Sequence, residues 1–192
     1  ELRAGMQLSE PDLAKQLGMS RTPVREALRQ MENEGLIDYA PRFGAMVRAA
    51  DRNELSEMYA VREALESYAA AQAAEKMTPP DVRSLEDAYT EMCSIADRFH
   101  DSGRELLDGP LLEKFIQADL AFHRIIIAAA GNRYMSKILD DTRLLVRVFT
   151  ATFWQYDAEK LGEANQFHQR LLEALRNGES ESARLATIEA MQ

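Results

Sequence analysis

The sequence predicts a mainly α protein in two parts, a small N-terminal unit of short helices with a β-hairpin and an all-α bundle after it. Three observations carry this expectation. Apolar residues recur at three- and four-residue spacing along most of the chain, no strand pattern appears after residue 50, and glycine, proline and cap residues divide the remainder into helix-length pieces. With 192 residues, 46% of them hydrophobic, the chain can build two cores, and we place the division at 1–50 and 51–192.

In order, Leu8–Val47 reads as two short helices, a sharp turn and a hairpin. LSEPDLAKQLG starts with Ser9 and Asp12 at capping-box spacing and puts Leu13, Ala14 and Leu17 on one face. Gly18 ends that helix. Ser20 is placed to cap the next, where Val24, Ala27, Leu28 and Met31 recur at helical spacing until Gly35. Two helices joined by a Gly-containing turn make a helix-turn-helix, whose second helix sets its first residues against base edges in the major groove of DNA. Those residues are Ser20, Arg21, Thr22 and Arg25. An arginine fork can take guanine O6 and N7 together or grip a phosphate, and hydroxyls and free helix-start amides suit phosphate oxygens.

The bundle follows a short connector, Ala49–Arg52. Asn53 or Asp51 can cap a helix reaching Lys76, with a stripe of Leu55, Met58, Tyr59, Val61, Leu65, Tyr68, Ala69 and Gln72/Ala73 whose alanines allow close helix approach. Thr78-Pro79-Pro80-Asp81 breaks it and caps the next. Further helices are expected at about 81–101, 110–130, 133–156, 158–177 and 180–192, six in all.

The net charge of −9 is unevenly spread. Residues 1–48 hold seven Lys/Arg and seven Asp/Glu of the chain's 23 and 32, so the acid excess lies wholly in the second part. DNA binding would then rest on the local arginine cluster and on its doubling by dimerisation, and would weaken steeply with salt. One cysteine, Cys93, excludes an internal disulfide and a Cys-based zinc cluster and reads as a small packed hydrophobe. No apolar run reaches eighteen residues and the start has no signal-peptide pattern, so a cytoplasmic protein is expected.

The wording LSEPDLAKQLGMSRTPVREALRQMENEGLI…GAMV resembles the winged helix-turn-helix of the GntR family of bacterial transcriptional regulators, in its FadR-like branch with a C-terminal FCD ligand-binding domain. The resemblance implies wing strands at Leu36–Ala40 and Ala45–Ala49, with Arg42 and Gly44 at a tip that contacts the minor groove or backbone. It also implies a further helix before Glu1, so the N-terminal edge of the DNA domain is expected outside this sequence. YAVREALE, DLAFHRIIIAAAGN and FHQRLLEALRNGE resemble recurring FCD segments, and that domain is an antiparallel bundle of six or seven helices.

Within the bundle, Asp119 and His123 stand four apart on one helix, so both project from one face. Such a pair can chelate a divalent metal or form a hydrogen-bonded core pair. His168 lies on another striped helix beside Leu171, Leu172 and Leu175, so its ring can turn inward. In many FCD domains an Asp, a His four residues on and a His on a later helix bind a metal, with a further His on the last helix. Asp119, His123 and His168 match the first three, and the expected fourth position is Ala190. Three protein ligands completed by water or effector, a ligand beyond Gln192, or a metal-free site all remain open. Zinc, nickel and manganese are equally compatible with mixed N/O ligands. His100 has no partner at ligand spacing.

Arg143, Arg147, Thr150 and Trp154 share a face opposite Leu145, Phe149 and Phe153, and could line a polar pocket or face solvent. Arg62 sits where the family commonly has an arginine, and family effectors are often small organic acids. The resulting expectation is a homodimeric regulator, in the mode of a repressor, binding a palindromic operator under control of a small carboxylate. Two alternatives stand beside it: a metal-dependent hydrolase or lyase built on Asp119, His123 and His168, and a DNA-binding protein whose helical part only dimerises.

Overall fold

The computed structural model describes residues 5–40, 43–150 and 155–191, without the side chains of Arg147, Val148 and Thr150. The chain divides into two compact units, Glu1–Met58 with Asp141–Thr152, and Tyr59–Asp140 with Phe153–Gln192.

The first unit begins with β1 (Gln7–Leu8), followed by α1 (Glu10–Leu17), α2 (Arg21–Asn33), β2 (Ile37–Ala40) and β3 (Gly44–Val47). Ser9 caps α1, its hydroxyl accepting from the Asp12 amide at 3.4 Å. Gly18 closes it with φ 64°, the left-handed value that glycine adopts without a Cβ penalty, and the Met19 amide then reaches the Ala14 carbonyl at 3.0 Å. α2 follows after one further residue, its N-cap Ser20, whose side chain makes no capping hydrogen bond. The strands form an antiparallel sheet in the order β1-β3-β2, with Leu8 opposite Ala45 and Ile37 opposite Val47. Ala14, Val24, Leu28, Leu36 and these paired residues make one small core, with Leu145 packed against it.

The wing strands are shorter than expected and a third strand joins them. β1 has two residues, too few to show a period, yet Leu8 is buried and the Gly5 amide donates to Val47 at 2.8 Å. Gly44 opens β3 with φ 77°, and an added Cβ there would meet nothing within 4 Å, so backbone conformation alone favours glycine.

α3 (Arg52–Lys76) is capped by Asp51, which accepts from the Glu54 amide at 2.9 Å. In the second unit it is joined by α4 (Pro79–Asp101), α5 (Gly109–Ala129), α6 (Arg133–Thr150, as far as Asp140), α7 (Ala158–Arg176) and α8 (Ser180–Glu189). The buried face of α3 is the alanine part of the expected stripe and not its large side chains. Ala69, Ala70, Ala73 and Ala74 are buried, whereas Val61 and Tyr68 are exposed. Alanine on the inner side permits close backbone approach, which is visible where the Ser180 hydroxyl donates to the Ala71 carbonyl at 3.1 Å. Leu85, Met92, Phe99, Phe115, Phe122 and Leu171 form the main core with Ala70, Ala73 and Ala74. Asp81 receives both the amide and the hydroxyl of Thr78, at 2.9 and 2.6 Å, as the start of α4 requires.

One boundary differs from expectation. α6 is described as far as Thr150, and Gln155–Asp157 are non-helical, so the helix does not run to 156. The Tyr156 carbonyl accepts the Leu107 amide at 2.8 Å and its ring packs edge-on against Phe115 at 5.1 Å, so tertiary packing overrides the helical pattern there. Among the described residues no helix is long and apolar enough to cross a membrane.

Candidate functional site

At the start of α2, Ser20, Arg21, Thr22 and Arg25 are all exposed, as is Gly44 at the wing. Arg21 and Arg25 stand one turn apart and share a face. Both meet Glu10, the first residue of α1. Arg25 Nε lies 3.1 and 3.2 Å from the two Glu10 oxygens, its Nη2 lies 2.9 Å from Oε2, and Arg21 Nη2 lies 3.5 Å from that same oxygen. The hydrogen bond from Arg25 holds the Glu10 carboxyl below its ordinary range. No sequence pattern links positions 10 and 25, and their pairing was not foreseen. Arg42 lies outside the described residues.

In the second unit, Asp119, His123 and His168 each offer a ligand atom, all within 4.8 Å of one another. α5 supplies the first two at i and i+4, and α7 supplies the third. His168 is 2% exposed, turned inward by its place among Leu171, Leu172 and Leu175. Its Nδ1 lies 2.7 Å from the Ala164 carbonyl oxygen. A carbonyl only accepts, so Nδ1 donates, and in the neutral ring Nε2 carries the lone pair. That Nε2 makes no hydrogen bond although Asp119 Oδ1 is 3.1 Å away. With the ring neutral, two acceptors face each other, an arrangement that a shared cation resolves.

The spacing suits a metal. Ligand atoms at about 2.1 Å from one ion, at tetrahedral or octahedral angles, stand roughly 3.0–3.4 Å apart. Asp119 Oδ1 is 3.1 Å from His168 Nε2 and 3.7 Å from His123 Nε2, so small rotations complete the set. His123 turns its other nitrogen, Nδ1, toward Glu66 Oε2 at 3.8 Å. Glu66 is buried and receives Arg62 Nε at 2.8 Å. A carboxylate hydrogen-bonded to the far nitrogen of a ligating histidine fixes its tautomer and orientation, and Glu66 stands on that side of His123 at 3.8 Å, longer than a hydrogen bond. Arg62 and Glu66 stand four apart on α3, but nothing in the sequence pattern shows the acid turning inward.

Aromatic rings enclose the cluster. Phe122 meets the His168 ring edge-on at 4.9 Å and Phe167 stacks on His123 at 6.2 Å. Burial, then the neighbouring Asp119, pushes the Tyr156 hydroxyl up to about 12, which keeps it a neutral donor. A cavity of about 10 Å³ beside Glu66 and His123, lined also by Leu171 and Thr187, has room for roughly one water. Ala190, where a further histidine was expected, is exposed at the end of α8. Of the other arginines considered, Arg143 is buried and belongs to the first unit, while the side chains of Arg147 and Thr150 and the whole of Trp154 lie outside the described residues.

Comparison with known proteins adds a family. Residues 57–192 match the family described as "FCD domain" and residues 1–47 the family "Bacterial regulatory proteins, gntR family". The chain is 33% identical over 132 residues to an "Uncharacterized HTH-type transcriptional regulator in unstable DNA locus" of Streptomyces ambofaciens, covering 69% of this chain and half the length of that relative. It is 28% identical to the HTH-type transcriptional regulator McbR of Escherichia coli, over all of this chain and 82% of that one. A "Probable D-xylose utilization operon transcriptional repressor" of Paenarthrobacter nicotinovorans is 29% identical over 95% of this chain and 74% of its own. The solved structure of E. coli McbR/YncC superposes with a TM-score of 0.79 at 26% identity, covering 100% of this chain and 85% of that chain.

Proposed function

The chain belongs to the GntR family of bacterial regulatory proteins and carries its FCD domain, and from that premise we propose a metabolite-responsive repressor whose bundle holds a divalent metal. Its relatives are transcriptional regulators, so the reading of the Asp119, His123 and His168 cluster as a hydrolase or lyase centre is set aside. DNA binding and the regulatory role follow from the family. The ligand, the metal, the individual contacts and the paired state are our reading.

On the DNA side, Arg21 and Arg25 read base edges, Ser20, Thr22 and the free amides at the start of α2 take phosphates, and Arg42 and Gly44 bring the wing to the duplex. The unused hydroxyl of Ser20 supports that assignment. A pair of chains presents two such helices to a two-fold-symmetric operator, as an acidic protein with one small basic cluster per chain requires. The exposed apolar side chains of the second unit, Val61, Tyr68, Tyr134 and Ile138, are the surface such pairing would cover.

On the ligand side, Asp119, His123 and His168 would hold the ion, which would supply positive charge to attract and polarise a carboxylate. Glu66 holds His123 in its ligating orientation, Arg62 neutralises Glu66 and offers its remaining donors to an acid, and Tyr156 stays protonated as a further donor. The small cavity does not admit a metabolite as it stands, so an organic acid enters only by moving the helices that enclose it. A ligand that binds an opened bundle better than a closed one has the differential affinity that control of DNA binding demands.

The observation that carries the metal reading is the buried, unsatisfied Nε2 of His168 facing Asp119. The test is a duplex selected from a random pool by the full chain, then titrated with metal-loaded and chelator-treated protein against a panel of small hydroxy acids. Release of the duplex by an acid, only when metal is present, is expected. Identical binding under all conditions overturns the proposal.

A further inference from the structure

Glu10 is an acid placed where DNA is expected, which is unfavourable unless it serves something. As the first residue of α1 its carboxylate is favoured by the helix dipole, but that local effect does not need a partner on α2. The geometry with Arg25 is specific. A guanidinium has five donors: one on Nε and two on each terminal nitrogen. Nε–H and one hydrogen of Nη2 are directed at Glu10, at 2.9 to 3.2 Å. That leaves the outer edge, formed by Nη1 and the second hydrogen of Nη2, which is the edge that matches guanine O6 and N7. The same carboxylate lies 3.5 Å from Arg21 Nη2, so one acid sets two arginines of one face.

Both arginines are more than 45% exposed at the side chain. An ion pair that wet contributes little to holding α1 on α2, a task already met by the core of Ala14, Val24 and Leu28. It does restrict a long, rotamer-rich side chain before DNA arrives, and a side chain already held loses less freedom on gripping a base.

We propose that Glu10 is a positioning residue for sequence readout, holding Arg25, and secondarily Arg21, with the base-reading edge turned outward. This rests on the reading of Arg21 and Arg25 as base contacts. Its consequence is two effects of opposite sign. Glu10 improves discrimination between duplexes, and as a negative charge close to phosphates it weakens binding to any duplex.

The test uses the full chain and a duplex selected from a random pool, with a scrambled duplex of the same length and base composition as competitor. Glu10→Gln keeps size and one acceptor but removes the charge. The expected result is a roughly tenfold loss of discrimination between the two duplexes, the value of one good bidentate base contact, with binding to the scrambled duplex unchanged or tighter. An unchanged discrimination ratio overturns the proposal. So does an equal loss on both duplexes with a lowered melting temperature, which would make Glu10 a brace of the fold. Arg25→Ala separates the two levels: if it leaves discrimination intact, the assignment of Arg25 to base readout fails and Glu10 with it. If only Arg25→Ala loses discrimination, the base contact stands and the positioning role fails.

Discussion

Replacing Asp119 by asparagine should move the protein in two directions, depending on metal. Asp119 Oδ1 and His168 Nε2 are 3.1 Å apart and both are acceptors when the imidazole is neutral. An asparagine of the same size removes the charge and brings an N–H that can be aimed at Nε2. Satisfying one buried acceptor is worth about 1 kcal/mol, which for a domain of this size raises the melting temperature by about 3 °C. The same substitution takes away the anionic ligand. A metal present at a hundred times its Kd stabilises the native state by about 2.7 kcal/mol, or roughly 8 °C at the same conversion. Chelator-stripped wild type should therefore melt below Asp119→Asn, and addition of zinc, nickel or manganese should reverse the order by raising only the wild type. Differential scanning fluorimetry reads both arms. A variant that melts lower without metal, yet responds to metal like the wild type, would refute the reasoning from the two facing acceptors.

Four further outcomes are expected. Arg21→Ala and Arg25→Ala should each weaken binding of a selected duplex by about tenfold or more while leaving the melting temperature unchanged, measured by fluorescence anisotropy; unchanged affinity in both would remove the start of α2 from the interface. Leu28→Ala, at a fully packed position of the small N-terminal core, should cost about 2–5 kcal/mol in urea unfolding, and a loss below about 1 kcal/mol would mean that core is not formed as described. Tyr68→Glu combined with Ile138→Glu should shift the protein to a monomer in analytical ultracentrifugation and weaken DNA binding, whereas an unaltered dimer would move the interface elsewhere. Because the Tyr156 hydroxyl is raised from near 10 to about 12 in the folded state, its contribution to stability is present below pH 10 and is lost as pH climbs toward 12. Tyr156→Phe should flatten the fall in stability over that window, and an equally steep fall would assign it to other groups.

What the sequence disclosed, it disclosed through local rules. Ser9, Gly18 and Gly35 mark helix ends because caps and left-handed residues act within a few positions, and the structure places the ends of α1 and α2 there. Asp119 and His123 were readable as a pair because four residues along a helix means one face. His168 joins them from another helix, and only resemblance to a family connected it in advance. The misses share a physical cause. β1 is a strand by its partners, not by its own two residues. α6 stops before Gln155 because Tyr156 has a better use in packing than in another turn of helix. On α3 the alanines Ala69 and Ala73 of the expected stripe are the inner side, whereas Val61 and Tyr68 of the same stripe are exposed, because close helix approach leaves room for methyl groups and not for large side chains. Glu66 and Glu10 drew no expectation of their own from the sequence. One is buried against His123 and Arg62, the latter four residues away on the same helix, and the other holds Arg25; neither the inward turn of Glu66 nor the pairing of Glu10 with Arg25 leaves a trace in spacing along the chain.

The most direct test of a metal-holding regulatory bundle is elemental analysis by mass spectrometry of protein purified without chelator or nickel resin, beside His123→Ala. The account predicts about one equivalent of a transition metal per chain in the wild type and loss of most of it in the variant. No metal in either, with both proteins folded and still binding DNA, would contradict it and leave Asp119, His123 and His168 as a polar feature of the core.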